Sequence, residues 1–360
     1  MKTIPLNEIH QKLGAKMLPY AGFLMPIEYS GIISEHLNVR ENAGLFDVSH
    51  MGLLWVKGQN AYNLLQYITT NDVSKLLPGK AQYSCLPNGK GGIVDDIIVY
   101  RYSEEKYMIV VNAANIDKDW EWINKNNVFN AELQNASDEI SILALQGPKS
   151  VQILQKLVDI DLTQIKPFTF ITTKVAGEPD VIVSATGYTG SGGFEIICYN
   201  KSVLNLWNSI SNAGKEFDLK PIGLAARDTL RLEKGYTLYG NDIDDTTSPI
   251  EANLDWIVKF TDYKNFIDKE LLYKQKINGV TRKLIGLKMV DKGIPRHGYN
   301  VCSKESNIIG HVTSGTMSPS LKQGIAMAYL NINYCKPNTE VFINIRDKLL
   351  KAIVVNFPFV

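Results

Sequence analysis

An α+β fold closed off by an all-β module is what this sequence predicts, and three observations carry it. Up to about residue 275, helix-like and strand-like runs mix irregularly, without the strict alternation of a doubly wound parallel sheet. After about residue 280 the texture changes. The runs 285–290, 307–314, 324–330 and 340–345 are short, apolar-rich and separated by Gly, Pro, Asn and Ser clusters, the pattern of a small barrel or sandwich. Finally, no fixed-period repeat or low-complexity segment competes with this division.

The elements follow in order. Residues 32–43 read as a helix because Ile32, Ile33, His36, Leu37 and Arg40 recur at spacings of three and four. Strands are expected at 53–57, 92–102 and 107–112, then a helix at 115–124. Residues 148–158 read as a helix with Pro148 in its first turn, where a missing N–H costs least. Strands at 181–185 and 193–199 precede an amphipathic helix at 203–217, with Leu204, Trp207, Ile210 and Ala213 on its apolar side. A further helix at 222–233 stops at Gly235, a natural C-terminal cap.

Composition narrows the function classes. Lys plus Arg number 38 and Asp plus Glu 37, so no global field favours nucleic acid or an anionic membrane. The basic stretch Lys264, Lys269, Lys274, Lys276, Arg282, Lys283 reads as a solvated helix face and loop. Cys85, Cys198, Cys302 and Cys335 form no C-x-x-C pair, which fits a reducing compartment. His10, His36, His50, His297 and His311 show no metal-binding spacing, so no metal site is expected. The first ten residues lack the marks of a signal or transit peptide, and no apolar run nears the roughly 18 residues of a membrane span. The expected location is the cytoplasm, or the mitochondrial matrix if a transit peptide has been removed.

Three constellations could carry chemistry. In Gly91-Gly92-Ile93-Val94-Asp95-Asp96-Ile97-Ile98-Val99-Tyr100, two aspartates interrupt an apolar strand. Asp is disfavoured in strands, and an unpartnered buried carboxylate is costly. Successive side chains point to opposite faces, so one aspartate makes structural hydrogen bonds while the other projects into a site. Alternation does not say which, and both could instead cap loops or pair with basic residues.

In Thr186-Gly187-Tyr188-Thr189-Gly190-Ser191-Gly192-Gly193-Phe194-Glu195-Ile196-Ile197, the glycines suggest a phosphate loop. Such a loop must lead from a strand into a helix, and here another strand follows. The segment therefore reads as a Gly-rich hairpin. Glu195 shares a strand face with Ile197, opposite Phe194, Ile196 and Cys198. A carboxylate on a rigid strand suits a planar edge bearing two parallel N–H donors, such as that of a pterin, and a surface ion pair is the plainer alternative.

In Gly223-Leu224-Ala225-Ala226-Arg227-Asp228-Thr229-Leu230-Arg231-Leu232-Glu233-Lys234-Gly235-Tyr236, Arg227 and Arg231 share a helix face. They could grip a ligand carboxylate, or pair internally with Asp228 or Glu233.

Together these segments resemble the aminomethyltransferase (T-protein) family of the glycine cleavage system. The matching pieces run in order along nearly the whole chain. They include Leu45-Phe46-Asp47-Val48-Ser49-His50-Met51-Gly52, the Asp95-Asp96 strand, the Tyr188 hairpin with Gly193-Phe194-Glu195, and Ala226-Arg227-Asp228-Thr229-Leu230-Arg231-Leu232-Glu233. Further along come Tyr239-Gly240-Asn241-Asp242-Ile243, Gly310-His311-Val312-Thr313-Ser314-Gly315 and Ser318-Pro319.

The resemblance implies a three-lobed, cloverleaf-like folate-binding fold. It places two intertwined α/β lobes over 1–275, a C-terminal β-barrel over 280–360, and tetrahydrofolate in a central channel. By motif match Asp96 is the catalytic aspartate, Glu195 the pterin-recognising carboxylate with Tyr188 beside it, and Arg227 a further folate contact. Met51, Tyr83, Val110, Asn112 and Tyr236 line the pocket. The family often has a longer C-terminal tail with another folate contact, whereas this sequence ends at Phe357-Pro358-Phe359-Val360, so that contact is not carried over.

The implied reaction moves a methylene from the lipoyl arm of H-protein to tetrahydrofolate and releases ammonia, in functional association with P- and L-proteins. No nucleic acid, membrane or nucleotide enters it. Two other functions occur on this kind of fold. One is folate-dependent demethylation of a small methylated amine or sulfonium compound. The other is a non-enzymatic role in iron–sulfur assembly, whose Cys motif is absent from Lys234-Gly235-Tyr236.

Overall fold

The computed structural model describes residues 1–360 and divides them into two units. One unit comprises Met1–Leu65, Val73–Tyr83 and Ile97–Asp228; the other comprises Gln66–Asp72, Ser84–Asp96 and Thr229–Val360.

The first unit is built on sheets. A six-stranded sheet runs in the order Phe170–Val175, Glu178–Ser184, Gly193–Tyr199, Ile140–Gln146, Gly44–Asp47, Lys220–Pro221. The helix Asn200–Gly214 buries Val203, Leu206, Trp207, Ile210 and Gly214 in a core shared with Leu143, Val183 and Ile196 of that sheet. This corrects one member of the predicted apolar stripe. Leu204 is 46% exposed, because Trp207 and Ile210 belong to either of two overlapping stripes and the sheet takes the one with Val203 and Leu206.

A five-stranded sheet has the order Lys80–Pro87, Ile93–Arg101, Lys106–Val111, Gly52–Lys57, Glu132–Asn135. Its first two strands continue into the second unit. A small sheet of Lys2–Thr3, Phe23–Glu28 and Lys16–Tyr20 completes the set. The helix predicted at 148–158 is shorter, Ser150–Gln155, with Pro148 just ahead of its N-cap Lys149.

In the second unit the C-terminal runs close into a six-stranded barrel, which decides between barrel and sandwich. Its order is Arg282–Met289, Gln323–Asn331, Ile308–Ser318, Asn300–Cys302, Glu340–Ile345, Lys348–Val355. Leu287, Val301, Val312, Ala328, Val341 and Val354 fill its interior. Closure leaves no unpaired sheet edge. The helix Leu224–Glu233 ends where predicted, with Gly235 at φ 70°.

Two buried cations organise this unit, and the first differs from expectation. Lys264, assigned to a solvated face, is fully buried. Its Nζ donates to Gln66 O, Gln66 Oε1 and Thr69 O at 2.9–3.0 Å. Burial pushes this ammonium down to about 7, against the charge of Asp72.

Arg231 is also buried, and Asp242, beyond its own helix, pairs with it. Nη1 donates to Asp242 Oδ2 at 2.6 Å and to Tyr236 O at 2.9 Å, while Nη2 donates to Ser314 Oγ at 2.9 Å. Glu233 accepts from Ser318 Oγ, Ser320 N and Ser320 Oγ. Breaking a buried pair by removing one partner leaves an uncompensated charge. Arg231→Met is therefore expected to lose about 3–5 kcal/mol of stability, read as the shift in urea unfolding midpoint at constant m.

Candidate functional site

The Glu195 carboxylate is oriented by hydroxyls. Thr186 Oγ1 donates to Glu195 Oε2 at 2.5 Å. Thr186 Oγ1 is itself bonded to Ser184 Oγ at 2.9 Å and to Tyr100 OH at 3.2 Å. Ser184 and Glu195 are directly paired across the strands Glu178–Ser184 and Gly193–Tyr199, so backbone register sets this cluster. Burial, then the Glu195 charge, hold the Tyr100 phenol above its ordinary value, so it stays a proton donor. Glu195 Oε1 carries no hydrogen bond from the chain. A half-buried carboxylate with one oxygen held and the other open fits a donor edge on a planar ligand.

The Tyr188 hairpin is held from beneath. Gln146 Nε2 donates to Thr186 O at 3.2 Å, and Thr189 Oγ1 donates to Gln146 Oε1 at 2.9 Å. Arg40 Nη1 donates to Thr189 O and Ser191 Oγ. Gly187 is needed for the close approach, since a Cβ there would lie 2.0 Å from Gln146 Oε1. Gly187 and Gly193 thus have a packing role, and the loop leads into a strand, as expected for a hairpin.

The Arg227 guanidinium lies 4.5 Å from the Tyr188 ring centre. It also acts on His50, the neighbour of Met51. Burial first, then the Arg227 charge, lower His50 to about 3, with Asp47 opposing. His50 Nδ1 is buried without a hydrogen-bond partner.

Because the folded pKa lies below the ordinary 6.5, unfolding takes up a proton between pH 6.5 and 3, and stability falls as pH falls through that window. His50→Gln is expected to flatten the acid-side slope of unfolding free energy by up to about 1.4 kcal/mol per pH unit, read from urea melts between pH 7 and 4.5.

Met51 and Asn112 flank the Gly52–Val111 pair, and Val110 pairs with both Leu53 and Ile98. The first unit thus links Met51, through His50, to Arg227 and Tyr188, and through the hairpin to Thr186 and Glu195. Tyr83 is half-buried on Lys80–Pro87.

Asp96 and Tyr236 belong to the second unit. On the strand Ile93–Arg101, Asp95 is fully buried and Asp96 half-buried. By alternation Asp96 is on the strand face of Ile98 and Tyr100. Burial, then the charges of Asp96 and Asp95, push the Cys85 thiol well up, so it remains neutral. Arg231, grouped by sequence with Arg227, is absorbed by Asp242.

Three features escaped the residue pattern: the hydroxyl cluster behind Glu195, the buried His50 beside Arg227, and the Asp242 partner. Thr186, His50 and Asp242 all lie inside the quoted motifs, which was the signal available, but the motifs do not say what each side chain touches.

Family models match residues 6–262 as the GCVT N-terminal domain and residues 282–360 as the glycine cleavage T-protein C-terminal barrel domain. The chain belongs to the glycine cleavage T-protein family. Curated T-protein relatives named aminomethyltransferase are similar along the full length. The Bacteroides fragilis protein is 57% identical over 359 residues, spanning 100% of this chain and 99% of the relative. The Porphyromonas gingivalis protein is 55% identical over 360 residues, with the same shares. A crystal structure of glycine cleavage system aminomethyltransferase T from Bartonella henselae matches with a TM-score of 0.93 at 35% identity, spanning 100% of this chain and 98% of that one. This T-protein family member is an enzyme, an aminomethyltransferase of the glycine cleavage system.

Proposed function

We propose that the enzyme transfers the methylene of an aminomethyl group, carried on the lipoyl arm of H-protein, to tetrahydrofolate. The products are 5,10-methylenetetrahydrofolate, ammonia and dihydrolipoyl H-protein. One carbon–sulfur and one carbon–nitrogen bond break, two carbon–nitrogen bonds form, and no electrons are exchanged overall. Tetrahydrofolate supplies the two nucleophilic nitrogens.

The observation that carries this reading is the Glu195 carboxylate, with Oε2 held by Thr186 and Oε1 open. In this reading Glu195 grips the pterin edge. Tyr188 and Arg227, stacked at 4.5 Å, contact the folate further along. Met51, Tyr83, Val110, Asn112 and Tyr236 line its pocket. Asp96 is the catalytic residue, holding a proton-bearing nitrogen of the ligand and moving a proton as bonds exchange.

Most of the rate advantage is orientation, where well-placed reactants can gain about 7–11 kcal/mol. Residues 1–275 form the folate-binding region and 280–360 the accessory barrel. H-protein is the direct partner, P- and L-proteins act in the same sequence of reactions, and the cytoplasm is the working location.

Calorimetric titration with tetrahydrofolate, followed by ammonia release from aminomethylated H-protein, tests the proposal. Folate-dependent ammonia release is expected. Binding of folate with no release from that donor would transfer the site to another one-carbon donor.

A further inference from the structure

We propose that Tyr239 is a positioning residue of the transfer reaction, acting through Asp96. The inference rests on the catalytic reading of Asp96 and deepens it.

Asp96 lies near the start of the strand Ile93–Arg101, and residues 84–96 pack within the second unit. The strand start is held by one short loop, 239–245, while Asp268 Oδ2 accepts from Gly89 N and Gly91 N in the turn before it. Ile93 is gripped at both backbone groups: its N–H donates to Asp244 O at 3.1 Å, and its carbonyl accepts from Tyr239 OH at 3.1 Å. The turn just before is held by the same loop, with Asn88 Nδ2 donating to Asp245 O at 2.9 Å. Asn88 Oδ1 in turn accepts from Lys90 N and Gly92 N. The approach is so close that a Cβ on Gly92 would meet Asp245 O at 1.9 Å, so glycine is required there.

The loop itself is anchored. Tyr239 bridges to Ile243, and Gly240 N donates to Ile243 O. Asp242 accepts from Leu238 N, Arg231 Nη1 and Thr313 Oγ1, and its carbonyl accepts from Tyr329 OH. Arg231, Thr313 and Tyr329 are buried, so the loop is tied to the barrel wall and to the helix Leu224–Glu233.

The phenol of Tyr239 is the side-chain end of this clamp. It is half-buried and donates to a backbone carbonyl three residues from the proposed catalytic carboxylate. The remaining grips on 88–93 are backbone contacts, Asn88 and the Asp268 carboxylate, which accepts from Gly89 N and Gly91 N, so Tyr239→Phe removes one donor and leaves the rest in place. A small displacement of Asp96 is enough to matter, because a misplacement of about 1 Å can cost on the order of 10²-fold in rate.

The test is a double-mutant cycle with Tyr239→Phe and Asp96→Asn, assayed with tetrahydrofolate and aminomethylated, lipoylated H-protein. Calorimetric tetrahydrofolate affinity and a thermal melt accompany each variant. The expected result is a roughly tenfold or greater fall in kcat for Tyr239→Phe, with tetrahydrofolate affinity changed less than about twofold. In the Asp96→Asn background the same substitution should change kcat by less than about twofold, since the residue it acts through is already disabled.

Equal loss of rate in both backgrounds would mark general destabilisation and overturn the inference while leaving Asp96 catalytic. Unchanged kcat with weakened folate affinity would overturn it in favour of a binding contact. Normal turnover of Asp96→Asn itself would instead remove the catalytic reading, and the inference with it.

Discussion

Asp96→Asn is expected to keep tetrahydrofolate affinity within about twofold of the parent and to lose roughly 10²–10⁴-fold in kcat. The amide has nearly the shape of the carboxyl and can still hydrogen-bond, so ligand positioning survives. It cannot take up or deliver a proton at neutral pH, and it carries no charge to balance one developing at the reacting carbon. Steady-state ammonia release at saturating folate, set beside calorimetric affinity, separates the two quantities. The neighbouring Asp95 is the control. It is fully buried, so Asp95→Asn should show its effect in the melting temperature before it shows one in kcat at saturating folate. A turnover number close to the parent's in Asp96→Asn would take the residue out of the mechanism.

Glu195→Ala is expected to act on the other quantity. Truncating one side of a desolvated, hydrogen-bonded charge pair costs about 2–5 kcal/mol, and a half-buried carboxylate belongs at the lower end. At about 1.4 kcal/mol per decade, tetrahydrofolate binding should weaken on the order of 30-fold to 100-fold. The hydroxyls of Thr186, Ser184 and Tyr100 already bond one another, so removal of Glu195 leaves them partnered and the fold little changed. Thr186→Val should give a smaller loss, because it frees Glu195 to rotate without removing its charge. Unaltered affinity in Glu195→Ala would end the pterin assignment.

Much of this architecture was legible in the residue order. The apolar spacing at 32–40, the alternation around Glu195 and the Gly235 cap all report local rules, and local rules can be read from a window of a few residues. The barrel was legible as punctuation, although its closure was not, because strand partners such as Gly286 and Val355 lie far apart in sequence.

The strands Gly44–Asp47, Lys80–Pro87, Ile140–Gln146 and Phe170–Val175 were passed over. Gly44–Asp47 and Ile140–Gln146 are buried along almost their whole length, so period-two alternation is missing. Lys264 was misplaced for a related reason. Its sequence neighbourhood is basic and polar, and only the tertiary meeting with Gln66 and Thr69 gives the ammonium its oxygen cage.

At the candidate site the order of motifs named the residues, but it could not show what supports them. The hydroxyl relay behind Glu195 joins Tyr100, Ser184 and Thr186 from separate strands and a hairpin, and Asp242 reaches Arg231 from a loop after the helix. Such partners are fixed by register and long-range packing. A linear motif carries the residue that touches the ligand more readily than the one that holds it still.

The interleaving of the two units has a consequence for biosynthesis. Residues 66–72 and 84–96 leave the ribosome early, yet they pack with residues 229–360, which leave it last. The nascent chain must therefore carry an incomplete strand start, Asp96 included, for most of its translation. The carboxylate proposed to do the chemistry is among the last features of the molecule to be set, so an unfinished chain presents no working copy of it.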